Sequence, residues 1–101
     1  ANSSAAKSDC QTLANAIQSE IISITSGLSD ANNKYVKKGT DGKVDGVKTP
    51  EASSTTVQKD GKVTITYDAT NKKFVITHSD LADTKTYEVN TETGAVTNNA
   101  A

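Results

Sequence analysis

The chain has no tryptophan, no methionine and no arginine, and among its 101 residues there is one cysteine, one proline and one histidine. Each scarcity excludes something. A lone Cys10 cannot close an internal disulfide, so the fold holds without a covalent staple. Without arginine there is no planar fork for base edges or phosphates. The lysines form no long run and do not alternate with aromatics, so nucleic acid is not expected as a partner. Acidic and basic residues nearly balance, at a formal net charge of −1. Apolar residues are 34% of the chain and aromatics 4%, which leaves Ile, Val, Leu and three tyrosines to build the core. Ordering each residue costs roughly 1–2 kcal/mol of backbone entropy, so so small an apolar supply predicts modest stability that a neighbouring subunit can raise. No stretch reaches the roughly 18 consecutive apolar residues of a membrane helix, and no signal-peptide pattern precedes the first helix. The length suits one domain with one core.

What the chain does have is a long periodic segment at its start. Ala6, Cys10, Leu13, Ala14, Ile17, Ile21, Ile24 and Leu28 recur at spacings of three and four, which places them on one stripe of a helix. The spacing predicts a helix from about Ala5 to about Ser26, stopped by Gly27, because glycine accepts the left-handed conformation of a C-terminal cap. Ser3 and Ser4 lack a Glu or Gln three residues on, and the apolar repeat is already running by Ala6. The helix therefore reads as the continuation of an upstream segment. Its far side carries Ser8, Thr12, Asn15, Ser19, Ser23 and Ser26, all small and uncharged, with Ile22 as an apolar spot beside them. Solvated helix faces usually carry charge. Ser8, Thr12, Asn15, Ser19, Ile22 and Ser23 are accordingly a candidate subunit-contact face, the alternative being a serine-rich face that only meets water.

From residue 29 to residue 54 the periodicity is lost among Gly39, Gly42, Gly46, Pro50 and polar turn formers. This predicts a long connection with one short strand, pinned to the body by Tyr35, Val36, Val44 and Val47. Residues 55 to 97 read as an antiparallel sheet. Thr55 to Gln58 makes a first strand and Lys59-Asp60-Gly61 a turn. Val63, Ile65 and Tyr67 then alternate with polar residues, Phe74 and Ile76 follow on the next strand, and Tyr87 and Val89 on the one after that. The stretch after Gly94 is compatible with a last strand or with a frayed end. A sheet with one apolar face needs a cover, and the helix stripe is the remaining apolar surface. The expected fold is α+β, one domain with a long N-terminal helix on a three- to four-stranded antiparallel sheet. Its helix-to-sheet core is Cys10, Leu13, Ile17, Ile21, Ile24, Val63, Ile65, Phe74 and Ile76.

Catalytic chemistry finds little to work with. His78 has no second histidine and no nearby cysteine with which to share a metal, and no Gly-x-Ser-x-Gly pattern is present. Asp41-Gly42-Lys43-Val44-Asp45-Gly46 has the outline of a calcium loop, yet Lys43 stands where an oxygen ligand belongs and Ala52 stands at the twelfth position. Asn2-Ser3-Ser4 fits a glycosylation sequon. Cys10, on the apolar stripe, reads as a small buried hydrophobe rather than a reactive thiol. No catalytic residue, metal or cofactor is expected.

Ala6-Lys7-Ser8-Asp9-Cys10-Gln11-Thr12-Leu13-Ala14-Asn15-Ala16-Ile17 resembles the second, exposed half of the type IV pilin helix. The order of helix, variable loop, antiparallel meander and short polar tail is similar to that family along the whole chain. Many Gram-negative pilins close their C-terminal region with a disulfide, so one cysteine within the helix points toward the Gram-positive members. The resemblance implies a pilin-like fold and a mechanical role: a structural subunit that self-associates with other pilin subunits into a surface filament for adhesion, aggregation or twitching motility. It also implies a membrane anchor before assembly, through an N-terminal helix upstream of this chain. Two other functions stay open. One is a pseudopilin of a type II secretion or competence system; the other is a secreted adhesin or cell-wall binding domain that uses its sheet face, for which exposed aromatics are few.

Overall fold

The apolar repeat at the start of the chain folds as one helix, α1 (Ser3–Thr25). The computed structural model describes residues 3–48, 56–57 and 61–101. Alanines in the first half of α1 favour the helix intrinsically, whereas the isoleucines of the second half hold it by burial. The C-terminus closes as a Schellman motif. The Leu28 N–H donates to the Ser23 carbonyl at 3.0 Å and the Gly27 N–H to the Ile24 carbonyl at 2.9 Å, with Gly27 at φ 89°. That reversal takes Leu28 off the stripe on which its spacing had placed it; Leu28 lies beyond the helix and is 60% exposed.

A main sheet follows, built from β3 (Thr56–Val57), β4 (Val63–Asp68), β5 (Lys73–His78), β6 (Tyr87–Asn90) and β7 (Val96–Asn98) after a separate hairpin, β1 (Val36–Lys38) and β2 (Val44–Val47). Its strand order is β3-β4-β5-β6-β7, antiparallel throughout. The register aligns two rows across the sheet. Ile65 pairs with Ile76 and Ile76 with Tyr87, while Tyr67 pairs with Phe74, Phe74 with Val89 and Val89 with Val96. Both rows lie on the face toward α1, since alternate residues of a strand share a face. The rings of Tyr67 and Phe74 sit 5.2 Å apart and tilted by 42°, a favourable aromatic geometry.

α1 lies over β5, β6 and β7 and also touches the hairpin, which in turn packs on β4. Twenty-three residues at about 1.5 Å each span more than the molecule's 24 Å middle dimension, so α1 runs along the 43 Å axis. Cys10, Leu13, Ile17, Ile21 and Ile24 from α1 and Val63, Ile65, Phe74 and Ile76 from the sheet are buried in one cluster, joined by Ala6, Ala14, Val36, Leu81, Tyr87, Val89 and Ala100.

The connection after α1 departs from the expected loop with one short strand, because it forms a two-stranded hairpin. β2 carries one residue more than β1 between the pairs Val36–Val47 and Lys38–Val44, and Gly46 at φ 115° absorbs the bulge. A Cβ on Gly46 would stand 3.7 Å from the Tyr67 ring, so the glycine also lets the hairpin lie close on β4. Val36 is buried, and Tyr35, Val44 and Val47 pack against the core from partial exposure. The expected Pro50 loop, Thr55 and Gln58 at the ends of the first sheet strand, and the Lys59-Asp60 part of its turn lie outside the described residues, as does Asn2 of the sequon. After Gly94 the chain forms β7 and then packs inward. The Asn99 N–H donates to the Thr86 carbonyl at 2.9 Å, the Ala100 N–H to Asn98 Oδ1 at 2.8 Å, and Ala100 is fully buried.

Candidate functional site

Burial of one stripe of α1 leaves the opposite side to solvent. Ser8, Thr12, Asn15, Ser19 and Ile22 are exposed and Ser23 is half-buried, so the six residues form a continuous band about 22 Å long at the helical rise. Lys7, Asp9 and Glu20 are the charged residues of α1, and all three lie toward the flanks, partly covered. The band itself is uncharged. Ile22 is 47% exposed on it, and Gln11 Nε2 donates to Asn15 Oδ1 at 3.0 Å along its edge. Such a surface presents hydroxyls and small side chains whose desolvation cost is far below that of ammonium or carboxylate groups.

Beside this band one carboxylate ties the hairpin to the helix and a second ties it to the connection that follows the helix. Glu20 accepts three consecutive backbone N–H groups: Oε2 from Lys34 at 2.9 Å, and Oε1 from Tyr35 at 3.0 Å and Val36 at 2.9 Å. Asp30 Oδ2 accepts the Lys38 N–H at 2.7 Å, and that bond, aided by the charges of Lys48 and Lys38, holds the Asp30 carboxyl below its ordinary range. Lys48 Nζ donates to the Asp30 carbonyl and Lys38 Nζ to the Leu28 carbonyl at 2.9 Å. On the other flank Gln18 Nε2 donates to the Gly94 carbonyl at 2.8 Å, docking the β6–β7 turn on the helix. Sequence reasoning missed Glu20 and Gln18. A signal for Glu20 was present, because it is the only charged residue between Asp9 and Asp30.

The remaining chemical candidates have structural partners. His78 is buried at the end of β5, and its Nδ1 accepts the Asp80 N–H at 3.0 Å, closing a turn beside the Lys62–Asp80 ion pair of 3.1 Å. Burial, with a contribution from Asp9, pushes the Cys10 thiol up to about 11, so it stays protonated at neutral pH. Asp41 Oδ1 accepts the Lys43 N–H at 3.0 Å, which spends the calcium-like loop on a hairpin turn. Among the described residues no group of three or more His, Cys, Asp or Glu side chains is arranged to hold a metal. No helix among them is long and apolar enough to cross a membrane. No family model, no curated protein and no solved structure matches the chain.

Proposed function

We propose that this domain is the structural subunit of a helical surface filament, a pilin-like protein of the type IV class that works by self-association. The single observation carrying it is the band on α1: along the whole exposed side of the longest element, no side chain is charged. A helix that only meets water gains nothing from such a composition, whereas a helix packed among copies of itself avoids burying unpaired charge. The sheet covers the other side, and the hairpin and β6–β7 turn brace the flanks, so the band is presented on a rigid support. A contact of this kind, repeated head to tail without closing, produces an open fibre. In this function an apolar segment N-terminal to α1 holds the subunit in the membrane before assembly, and the domain described here forms the outer shell at the cell surface. The fibre is a pilus or the shorter pseudopilus of a secretion or competence system, and its length on cells separates the two.

The test is Ser19→Glu. The substitution places a carboxylate in the middle of the band, on an exposed position with no packing to lose, so the isolated domain should keep its stability within about 0.5 kcal/mol. Filaments counted by electron microscopy on cells expressing the full-length variant should disappear. Wild-type filament numbers from a surface-expressed Ser19→Glu subunit would overturn the assignment.

A further inference from the structure

Four separated segments converge at the C-terminal end of α1 on one open cleft of about 450 Å³: Thr25 at the helix end, Lys43 and Val44 on the hairpin, Tyr67, Ala69 and Lys72 around the β4–β5 turn, and Thr91 and Glu92 after β6. That volume is within the range of about 300–1,000 Å³ used by small-ligand sites. One feature of its wall is costly for the fold. Lys72 is the one residue other than glycine with positive φ among the described residues, at 55°, a conformation usually left to glycine or asparagine. Its carbonyl accepts the Thr91 N–H at 2.9 Å, and its ammonium stands 3.7 Å from the Glu92 carboxylate, with both side chains largely exposed. At that separation neither group completes a hydrogen bond, so both keep donor and acceptor capacity for a third party. Lys43 has no ion-pair partner among the described residues.

We propose that this cleft binds a neutral polyhydroxylated ligand, one pyranose unit of a glycan. The wall and its surroundings carry charge of both signs. Lys43 and Lys72 in the wall oppose a cation. Glu92 in the wall opposes an anion, as do Asp45 and Asp41, which lie close enough to help burial push the Tyr67 hydroxyl up. A sugar hydroxyl is both donor and acceptor and bridges an ammonium and a carboxylate held slightly too far apart to satisfy one another. Val44, Ala69 and the Tyr67 ring supply apolar surface for the C–H face of such a ring. The site belongs to the single domain and does not depend on filament assembly.

The experiment is a heteronuclear NMR titration of the domain with glucose, galactose and N-acetylglucosamine, and with glucuronate and glucosamine as charged counterparts. Saturable shifts at the amides of Lys43, Ala69, Lys72 and Glu92 are expected with at least one neutral sugar, with Kd of about 1–10 mM for one unit in an open cleft. Lys43→Ala and Ala69→Phe, both at exposed positions, should each weaken binding at least about tenfold while the remaining spectrum shows an intact fold. No saturable shift with any of the three neutral sugars, unchanged binding in both variants, or tighter binding of a charged counterpart would each overturn the proposal.

Discussion

Glu20 fastens two parts of the molecule that no periodic pattern connects. One carboxylate satisfying three successive N–H groups removes three donors that the sharp entry into β1 would otherwise leave unpaired. Glu20→Ala should therefore destabilise the domain by about 1–3 kcal/mol, the cost of stranding donors at a partly buried site, and the amides of residues 34–36 should lose their protection from hydrogen exchange. Glu20→Gln should not rescue it, because half of the carboxamide presents donors to donors. Cys10 sets a pH limit at the same scale. Its thiol titrates near 9.0 when unfolded and about 11 when folded, so above pH 9 the unfolded chain releases the proton first. Stability should be level up to about that pH and fall as pH rises from 9 toward 11, as read from denaturant midpoints; a Cys10→Ala variant should lose that component of the decline. The sequence marked Cys10 as a buried hydrophobe through its place on the stripe. Glu20 was harder to read because its partners are backbone groups, which leave no trace in residue identity.

Elements differ in how plainly their residues announce them. α1 repeats its apolar spacing over six turns, and Gly27 ends it through hydrogen bonds that only a positive φ allows, so both existence and stop were legible. β4, β5 and β6 alternate cleanly and were equally so. The hairpin was not. β1 and β2 have three and four residues, their alternation is broken by a bulge at Gly46, and tertiary contacts rather than propensity hold them. β7 is likewise short, and its tail is fixed by the bond from Asn99 to the distant Thr86 and by the burial of Ala100, neither of which a local pattern shows. The two sides of α1 should respond oppositely to substitution. Ile17→Ala, at a fully buried position in the core beneath α1, should cost about 2–5 kcal/mol and lower Tm visibly, whereas Ser19→Glu two residues on should leave Tm unchanged. An equal loss from both would mean that the outer band carries stability of the single domain and is not a free surface.

At the scale of the molecule, the meander was legible because consecutive strands are also neighbours in the sheet, the arrangement that short connections enforce. The second layer was legible only in its helical half. The candidate contact band could be read as residues on one helical face, but its support on both flanks, through Glu20 and Gln18, required the fold. That support gives the band the rigidity of the core beneath it, and its composition makes a prediction about assembly. A filament contact made by serines, threonine, asparagine and Ile22 contains no ion pair for salt to screen. Raising sodium chloride from about 0.15 to 1 M shortens the Debye length from about 8 to 3 Å, which dissolves interfaces held by surface charge. In the proposed assembly the filaments should instead persist across that range, and ammonium sulfate should strengthen them by favouring burial of weakly hydrated surface. Sedimentation of isolated filaments at each ionic strength measures this directly. Release of subunits by sodium chloride would mean that Lys7, Asp9 or the lysines of the hairpin, rather than the uncharged band, make the contact that holds the fibre.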